Sequence, residues 1–408
     1  MNNVDIIIVG GGMVGLALAA CLEQSAVNIA IIEPHPPKTP CDDVSCRVSA
    51  LNLASQKMLH HLGLWHAIRD HRSCSYQRMA VWEKDSFAKI QFDCHDFGLD
   101  QLGHIVENDL IRHHLWQKVQ QQHNVTFFSH PLKNLHISDQ GAVASFDNGE
   151  ILLAKLVVGA DGANSWVRKQ CDMPLNFRDY QHHALVCNIR TEQPHAHCAR
   201  QLFSHDSILA LLPLHEPHLC SIVWSQPPDV AAEHLALSEA EFNKALTVAS
   251  DACLGLCDVV SERRTIALTA RFARSFVANR VALIGDAAHT IHPLAGLGVN
   301  LGFMDAVALA QEIDVNLKAQ RDIGQHAHLR HFERWRKAEA AQLLLAMQGF
   351  KSLFNQTNPV LQLLRGVGMN ATDRLPMVKQ QLMQHALGLV GDLPDMIRQM
   401  PVDALLFD

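Results

Sequence analysis

Three glycine turns in this chain could hold a long, phosphate-bearing ligand. The first is Gly10-Gly11-Gly12-Met13-Val14-Gly15, a G-x-G-x-x-G that follows the apolar run VDIIIV and opens the helix-like segment LALAACLEQ. In such a turn Gly10 permits a sharp reversal, Gly12 lets the backbone approach a pyrophosphate, and Gly15 lets helix and strand pack closely. The phosphates then meet a helix amino terminus, where unpaired N–H groups and the dipole favour an anion. Glu33 closes the next apolar run, VNIAIIE, where an acid would bind adenosine ribose hydroxyls. A glycine turn serving packing alone is the competing reading. Strand, helix and terminal acid in register favour dinucleotide binding, without separating FAD from NAD.

The second turn separates them. In VALIGDAAHTIHPLAGLGVNLGFMDA a strand ends at Gly285 and Asp286, and a loop containing Pro293 and Gly296 precedes a helix that starts near Val299. An acid at that strand end can accept a hydrogen bond from a ribityl chain, for which NAD has no counterpart. A helix opening after Gly298 would aim its positive end at the pyrimidine edge of a flavin and stabilise the anion formed on reduction. A capped helix after an ordinary loop is the alternative. The third turn, Gly159-Ala160-Asp161-Gly162-Ala163-Asn164-Ser165, again ends an apolar strand. Asp161-Gly162 could be a tight turn for its own sake. Strand ends on one sheet edge converge on a ligand crevice, so three such turns point to one long cofactor.

The elements that must position these turns follow from patterning. Residues 4–15, 152–162 and 280–288 each drive a β-rich run into glycines, the grammar of a doubly wound, Rossmann-like α/β domain. Between the last two, HHALVCNIR, ARQLFSHDSILALLPL and HLCSIVWS read as strands of an inserted antiparallel sheet. MAVWEKDSF and KIQFD read as paired strands of that same sheet. From about residue 300 NLGFMDAVALAQEI and FERWRKAEAAQLLLAMQGFKSLF turn helical. The expected division is a discontinuous FAD-binding domain of residues 1–72, 99–175 and 272–330, a substrate domain of 73–98 and 176–271, and a helical C-terminal region of 331–408.

Composition removes several function classes. The chain has 408 residues, enough for two domains, and a net charge of -7 with no basic stripe to neutralise a phosphate backbone, so nucleic acid is not an expected partner. Its eleven cysteines include no C-x-x-C pair, which fits a reduced cytoplasmic protein and disfavours a dithiol relay. No basic leader precedes the first apolar run, and no run reaches the roughly 18 to 20 residues that span a bilayer. Peripheral attachment to the inner membrane stays open. The segment 343–354 and VLQLLRGVGM offer apolar faces to a prenyl tail or a lipid surface, against the alternative of packing on their own domain.

GGGMVG, GADGANS and GDAAHTIHPLAG together resemble the single-component flavoprotein monooxygenases of the para-hydroxybenzoate hydroxylase type. Within that family, H-P-L-A-G-x-G-x-N-x-G-x-x-D from His292 to Asp305 resembles the ubiquinone-biosynthesis hydroxylases. RVSALNLASQKMLHHLGLW, VWEKDSF, LGHIVEND, YQHHALVCNIRTEQPH, HLCSIVWS and MQGFKSLF extend the likeness from about residue 4 to about 395. The resemblance implies that Gly10, Gly12, Gly15 and Glu33 hold the ADP half of FAD, and that Arg47 reaches the flavin side. It implies that Asp161 and Gly162 serve the cofactor and its reductant, and that Gly285 and Asp286 meet the ribityl chain. Pro293 and the backbone of Gly296, Leu297, Gly298, Val299 and Asn300 then border the flavin ring. Leu297 departs from the family, whose loop reads H-P-L-A-G-Q-G; the change is mild if only the backbone contacts flavin.

The activity so implied is hydroxylation of a hydrophobic prenylated phenol. Reduced flavin gives a C4a-hydroperoxide with dioxygen, and NAD(P)H or another electron donor supplies the electrons without a domain of its own. Hydroxylation of another aromatic or ring position, a flavin dehydrogenase or prenyl reductase without oxygen insertion, and a non-catalytic flavoprotein remain alternatives. A ubiquinone-biosynthesis complex is a further implied partner. No general base is assigned and no metal is expected, since pairs such as His182-His183 lack a matching cysteine or acid pattern, and His289 and His292 read as loop architecture.

Overall fold

The computed structural model describes residues 2–84, 86–290, 297–354 and 375–401. Pro293, Gly296 and the stretch 360–369 therefore lie outside the described residues.

Four-residue apolar runs form the central sheet because each strand is covered on both faces, the situation that turns a parallel strand into a continuous hydrophobic run. Ile6–Val9, Ile29–Ile32 and Leu156–Gly159 are buried at every position. The six-stranded order is Val277–Ala278, Val281–Leu283, Leu156–Gly159, Ile6–Val9, Ile29–Ile32 and Val125–Phe128. The pairing is parallel except at the outer hairpin, and it sets Val9 beside Gly159 and Gly159 beside Leu283. The ends of the three strands that carry the glycine turns are thus level and adjacent.

The run 152–162, expected as one strand, is two. Ile151–Ala154 joins a four-stranded sheet with Asn2–Asn3, Ala142–Phe146 and Leu132–Ile137, whereas Leu156–Gly159 enters the central sheet. The break falls at exposed Lys155, whose ammonium pairs with Asp5 at 2.7 Å while its N–H donates to the Asp5 carbonyl. A lysine cannot enter a strand buried on both faces, so the chain changes sheet there.

The inserted sheet is nine-stranded, and HHALVCNIR proves to be part of a 17-residue strand, Leu175–Thr191. Its antiparallel neighbours are Leu219–Gln226 and Arg264–Ala273. Arg78–Glu83 and Lys89–Asp93 pair with each other and extend this sheet through Cys198–Phe203, as expected. Ser73–Tyr76 does not: it pairs with Gly103–Glu107 in a separate three-stranded sheet that also contains Val48–Leu51. Alternation gives the long strand two faces. Leu185, Cys187 and Ile189 pack with Ile222 and Trp224 beneath Phe242 and Leu246 of the helix Glu239–Ala249. Ala184 and Val186 point the other way.

The helix Met13–Cys21 packs against Leu297–Lys318, and the long helix His326–Phe354 follows. Among the described residues no helix is long and apolar enough to cross a membrane.

Candidate cofactor and substrate site

The turn after Ile6–Val9 is built against the turn after Leu156–Gly159. Gly10 has φ +110°, and a Cβ there would stand 2.4 Å from the Ala160 carbonyl oxygen. At Gly15 a Cβ would stand 2.2 Å from the Gly10 carbonyl oxygen, so this residue serves helix-to-strand packing. Gly12 differs, since a Cβ there would meet nothing within 4 Å, and the same holds at Gly162 (φ +79°) and Gly298. Gly285, at φ +58°, packs on the Val14 side chain, which joins the Gly10–Gly15 turn to the Gly285-Asp286 turn. Gly12 and Gly162 thus leave open space in turns at neighbouring strand ends, and Gly298 leaves it in the first turn of the helix Leu297–Lys318, a cradle that fits an extended dinucleotide.

Glu33 sits at the mouth of that cradle. Its carboxylate accepts from the Gly11 N–H at 2.8 Å and the His35 N–H at 2.8 Å. Arg112, on the helix Asn108–Gln120, lies 3.3 Å from the same carboxylate and donates to the carbonyls of Gly11 at 2.8 Å and His35 at 2.6 Å. Sequence reasoning missed Arg112, because a lone arginine on a helix about a hundred residues from the turn it braces leaves no local signal.

Asp161 divides its work. One carboxylate oxygen caps the helix Trp166–Gln170 by accepting from the N–H groups of Trp166 at 2.7 Å and Val167 at 3.0 Å. The other is buried without a hydrogen-bond partner among the described residues. Arg168, missed from sequence, ties this turn to the next by donating to the Ala163 and Ala287 carbonyls. Asp286 is exposed to solvent, and the protein around it raises its pKa against the attraction of His289, Arg47 and Arg271. Arg47 is thus close enough for its charge to act on Asp286. The segment that carries it is held on both sides, with Val44 accepting from Asn188 and Arg47 from the Asn108 N–H.

Leu297 opens the helix Leu297–Lys318, although its side chain lies outside the described residues. Val299 packs against the main core. Asn300 commits its side chain to the fold: it accepts from the Asn52 N–H at 3.0 Å and the Ser55 hydroxyl at 2.7 Å, and donates to the Ala50 carbonyl. Asparagine suits that position because it must both accept and donate. His289, expected in a loop, lies in a two-residue strand, His289–Thr290, paired with Phe272, and its ring lies 2.6 Å from the buried carboxylate of Asp305.

The nine-stranded sheet carries a separate apolar cluster on the face opposite Leu185 and Ile189. Tyr180, Ala184, Val186, Leu268 and Ala270 form an apolar cluster against Cys46, Val223 and Leu344. Burial raises the Tyr180 pKa, so its hydroxyl stays neutral. A separate groove of about 550 Å³, lined among others by Arg78, Trp82, Phe87 and Arg200, shares no residue with this face.

Residues 3–345 match the family model described as an FAD binding domain. The chain is 34% identical over 392 residues to the 3-demethoxyubiquinol 3-hydroxylase of Escherichia coli (strain K12), covering 94% of this chain and 98% of that protein. The chain belongs to this family of FAD-dependent monooxygenases. A further member, the Homo sapiens mitochondrial ubiquinone biosynthesis monooxygenase COQ6, is 32% identical, with 94% and 92% covered. Two solved flavoenzymes share the fold. p-Nitrophenol 4-monooxygenase PnpA from Pseudomonas putida DLL-E4 superposes with TM-score 0.77 at 21% identity, covering 95% of this chain and 99% of that one. PqsL of P. aeruginosa in complex with 2-aminobenzoylacetate gives 0.77 at 20%, with 91% and 100% covered. For an FAD-dependent monooxygenase the residues present fit the cofactor: open glycines for the phosphates, a placed carboxylate at Glu33, and an accessible acid at Asp286.

Proposed function

We propose that this FAD-dependent monooxygenase hydroxylates the ring of a polyprenylated phenol in ubiquinone biosynthesis, with dioxygen as co-substrate and NAD(P)H or another donor as reductant. One observation carries the reading: the segment Val44 to Arg47 packs Cys46 against the apolar face around Ala184, Val186 and Leu268 and brings the Arg47 charge to bear on Asp286. The sequence stretches that extend the family likeness resemble 2-octaprenylphenol hydroxylases, which supports a phenol with a long tail.

Bound FAD supplies electron storage and the activation of dioxygen. The chain holds and orients. Gly12 gives the phosphates their approach, Gly10 and Gly15 shape the turn and seat the helix on its strand, Glu33 takes the ribose, and Asp286 takes the ribityl chain. The first turn of the helix Leu297–Lys318, at Gly298 and Val299, presents N–H groups and a positive dipole to developing negative charge. Ala184, Val186 and Leu268 give an aromatic ring an apolar seat that excludes water. An electron-rich phenol needs orientation more than a base, so none is assigned. On this reading 73–98 and 176–271 form the substrate domain, 1–72, 99–175 and 272–330 bind FAD, and 331–408 is the helical C-terminal region.

A lipid-borne substrate favours peripheral contact with the inner membrane or with a ubiquinone-biosynthesis complex. Leu343 and Leu344 pack inward, but Leu345, Met377, Val378 and Leu382 are exposed. Clean partition away from lipid vesicles counts against membrane contact. For the activity, oxidation of reduced cofactor and oxygen uptake are followed with a prenylated phenol, and the product is weighed. A mass increase of one oxygen is expected; product without added oxygen rejects the hydroxylase in favour of a dehydrogenase or reductase.

A further inference from the structure

Asp305, His289 and Arg336 meet where no solvent reaches: their exposures are 0%, 1% and 3%. One carboxylate oxygen of Asp305 accepts from the Gly285 N–H at 3.0 Å and lies 2.6 Å from His289 Nε2. The other accepts from Arg336 Nε at 2.8 Å, and the same guanidinium reaches the Leu301 carbonyl at 3.4 Å. Burial opposes ionisation of Asp305, yet His289 and Arg336 outweigh it and hold the carboxyl below the usual range.

A buried ionic cluster is poor evidence for stability, since apolar replacements of similar volume are often as stable. Its position suggests another use. The Asp305 oxygen that takes the Gly285 N–H fixes a residue at φ +58°, immediately before Asp286. Burial raises the Asp286 pKa, and the neighbour opposing it most is His289, ahead of Arg47 and Arg271. Arg336 stands on the helix His326–Phe354, eight residues before Leu344, which is about 12 Å along a helix. That helix therefore touches the flavin-side turn through Asp305 and the apolar face through Leu344.

We propose that Asp305, His289 and Arg336 are a positioning triad that sets the shape and charge of the Gly285-Asp286 turn, and thereby the affinity and redox potential of bound FAD. The inference rests on reading that turn as a cofactor contact. The triad touches neither flavin nor substrate; it acts through the turn it braces.

The test uses full-length protein stripped of flavin: parent, Arg336→Met, Arg336→Lys, His289→Gln and Asp286→Asn. FAD affinity is titrated by flavin fluorescence, thermal midpoints of the flavin-free proteins by circular dichroism, and midpoint potential by dye equilibration. Arg336→Met and His289→Gln are expected to raise the Kd for FAD about tenfold, in keeping with loss of one charged hydrogen bond, and to move the potential. Arg336→Lys restores Kd to within about threefold, because an ammonium still offers Asp305 a charged donor. Parent values of Kd and potential in Arg336→Met and His289→Gln overturn the triad. So does affinity lost only in step with the flavin-free thermal midpoint, with Arg336→Lys no better than Arg336→Met. If Asp286→Asn binds FAD like the parent, the cofactor reading of the turn itself falls. A weakened Asp286→Asn beside unaffected triad variants overturns the triad alone.

Discussion

Gly12→Ala and Gly15→Ala place the same methyl group in one motif, yet the structure assigns them opposite consequences. At Gly12 the backbone has φ -79° and ψ 178°, which any L-residue adopts, and the new Cβ meets no atom within 4 Å. Alanine there reduces unfolded-state entropy, worth about 0.4–1 kcal/mol, and is a poorer helix N-cap than glycine by a similar amount. The flavin-free protein should therefore keep its stability to within about 1 kcal/mol. Binding should not survive so well. A methyl group fills the space through which the pyrophosphate reaches the N–H groups of Met13–Cys21, and each charge-assisted hydrogen bond lost is worth about 1.5–3 kcal/mol. Loss of one or two raises the Kd for FAD about a hundredfold.

At Gly15 the same methyl stands 2.2 Å from the Gly10 carbonyl oxygen, 3.1 Å from Ala160 Cβ and 3.2 Å from Ile8 Cγ2. The nearest of these is backbone and cannot swing aside, so the helix must move off its strand. That cost belongs at or above the upper end of the overpacking range, about 3 kcal/mol. Urea unfolding of the flavin-free proteins and FAD titration separate the two effects. Parent-like FAD affinity in Gly12→Ala refutes the cradle reasoning, and parent-like stability in Gly15→Ala refutes the packing role.

Three other perturbations have expected signs. Asp286→Asn weakens FAD binding but stabilises the flavin-free protein at neutral pH: a carboxyl whose folded pKa is raised above 3.8 favours unfolding once it ionises, and asparagine removes that charge, as urea midpoints against pH will show. His104, 5% exposed and edge-on to Trp65 at 4.8 Å, has its pKa lowered by burial from 6.5 to about 3. Below pH 6.5 the unfolded chain takes up a proton that the folded one refuses, so stability falls by at most about 1.4 kcal/mol per pH unit, a slope that His104→Phe should remove from the acid limb. Val186→Phe crowds the apolar face and should raise KM for a prenylated phenol about tenfold while FAD affinity stays at the parent value; a change in FAD affinity instead would place Val186 at the cofactor.

How far the sequence could be read depended on whether a residue's partner was near in the chain. Gly10, Gly12 and Gly15 were legible because strand, turn and helix fall within a dozen residues and their spacing carries its own physics. The inserted strands were legible by alternation. The end of one strand and start of another at Lys155 was harder, since 152–162 is apolar on both sides and only the exposure of a single lysine marks the change of sheet. Ser73–Tyr76 looked like its neighbours in composition, yet its partner is Gly103–Glu107, a choice that no local pattern encodes. The helices Pro228–Ala236 and Glu239–Ala249 were overlooked although Ser238 and Glu241 spell a capping box. Arg112, Arg168 and Arg336 could not be found at all, because an arginine's role as a brace depends on carbonyls and carboxylates brought to it by folding.

On the proposed reading, a division of labour between the two large sheets lets one fold change substrate without losing its cofactor. Cofactor-side residues lie in turns at the ends of central strands, where glycine conformation and level register leave little latitude. The apolar face lies mid-strand on Leu175–Thr191, Leu219–Gln226 and Arg264–Ala273, where inward side chains vary in size without moving the backbone. Two pieces serve both sides: the segment Val44 to Arg47, pinned to Asn188 and Asn108, and the helix bearing Arg336 and Leu344. Substitutions within the apolar cluster, such as at Leu268, should on that reading act on substrate alone and combine additively with changes at Glu33. Substitutions at Cys46 or Leu344 should couple to the cofactor, because each belongs to an element whose far end reaches the flavin-side turns.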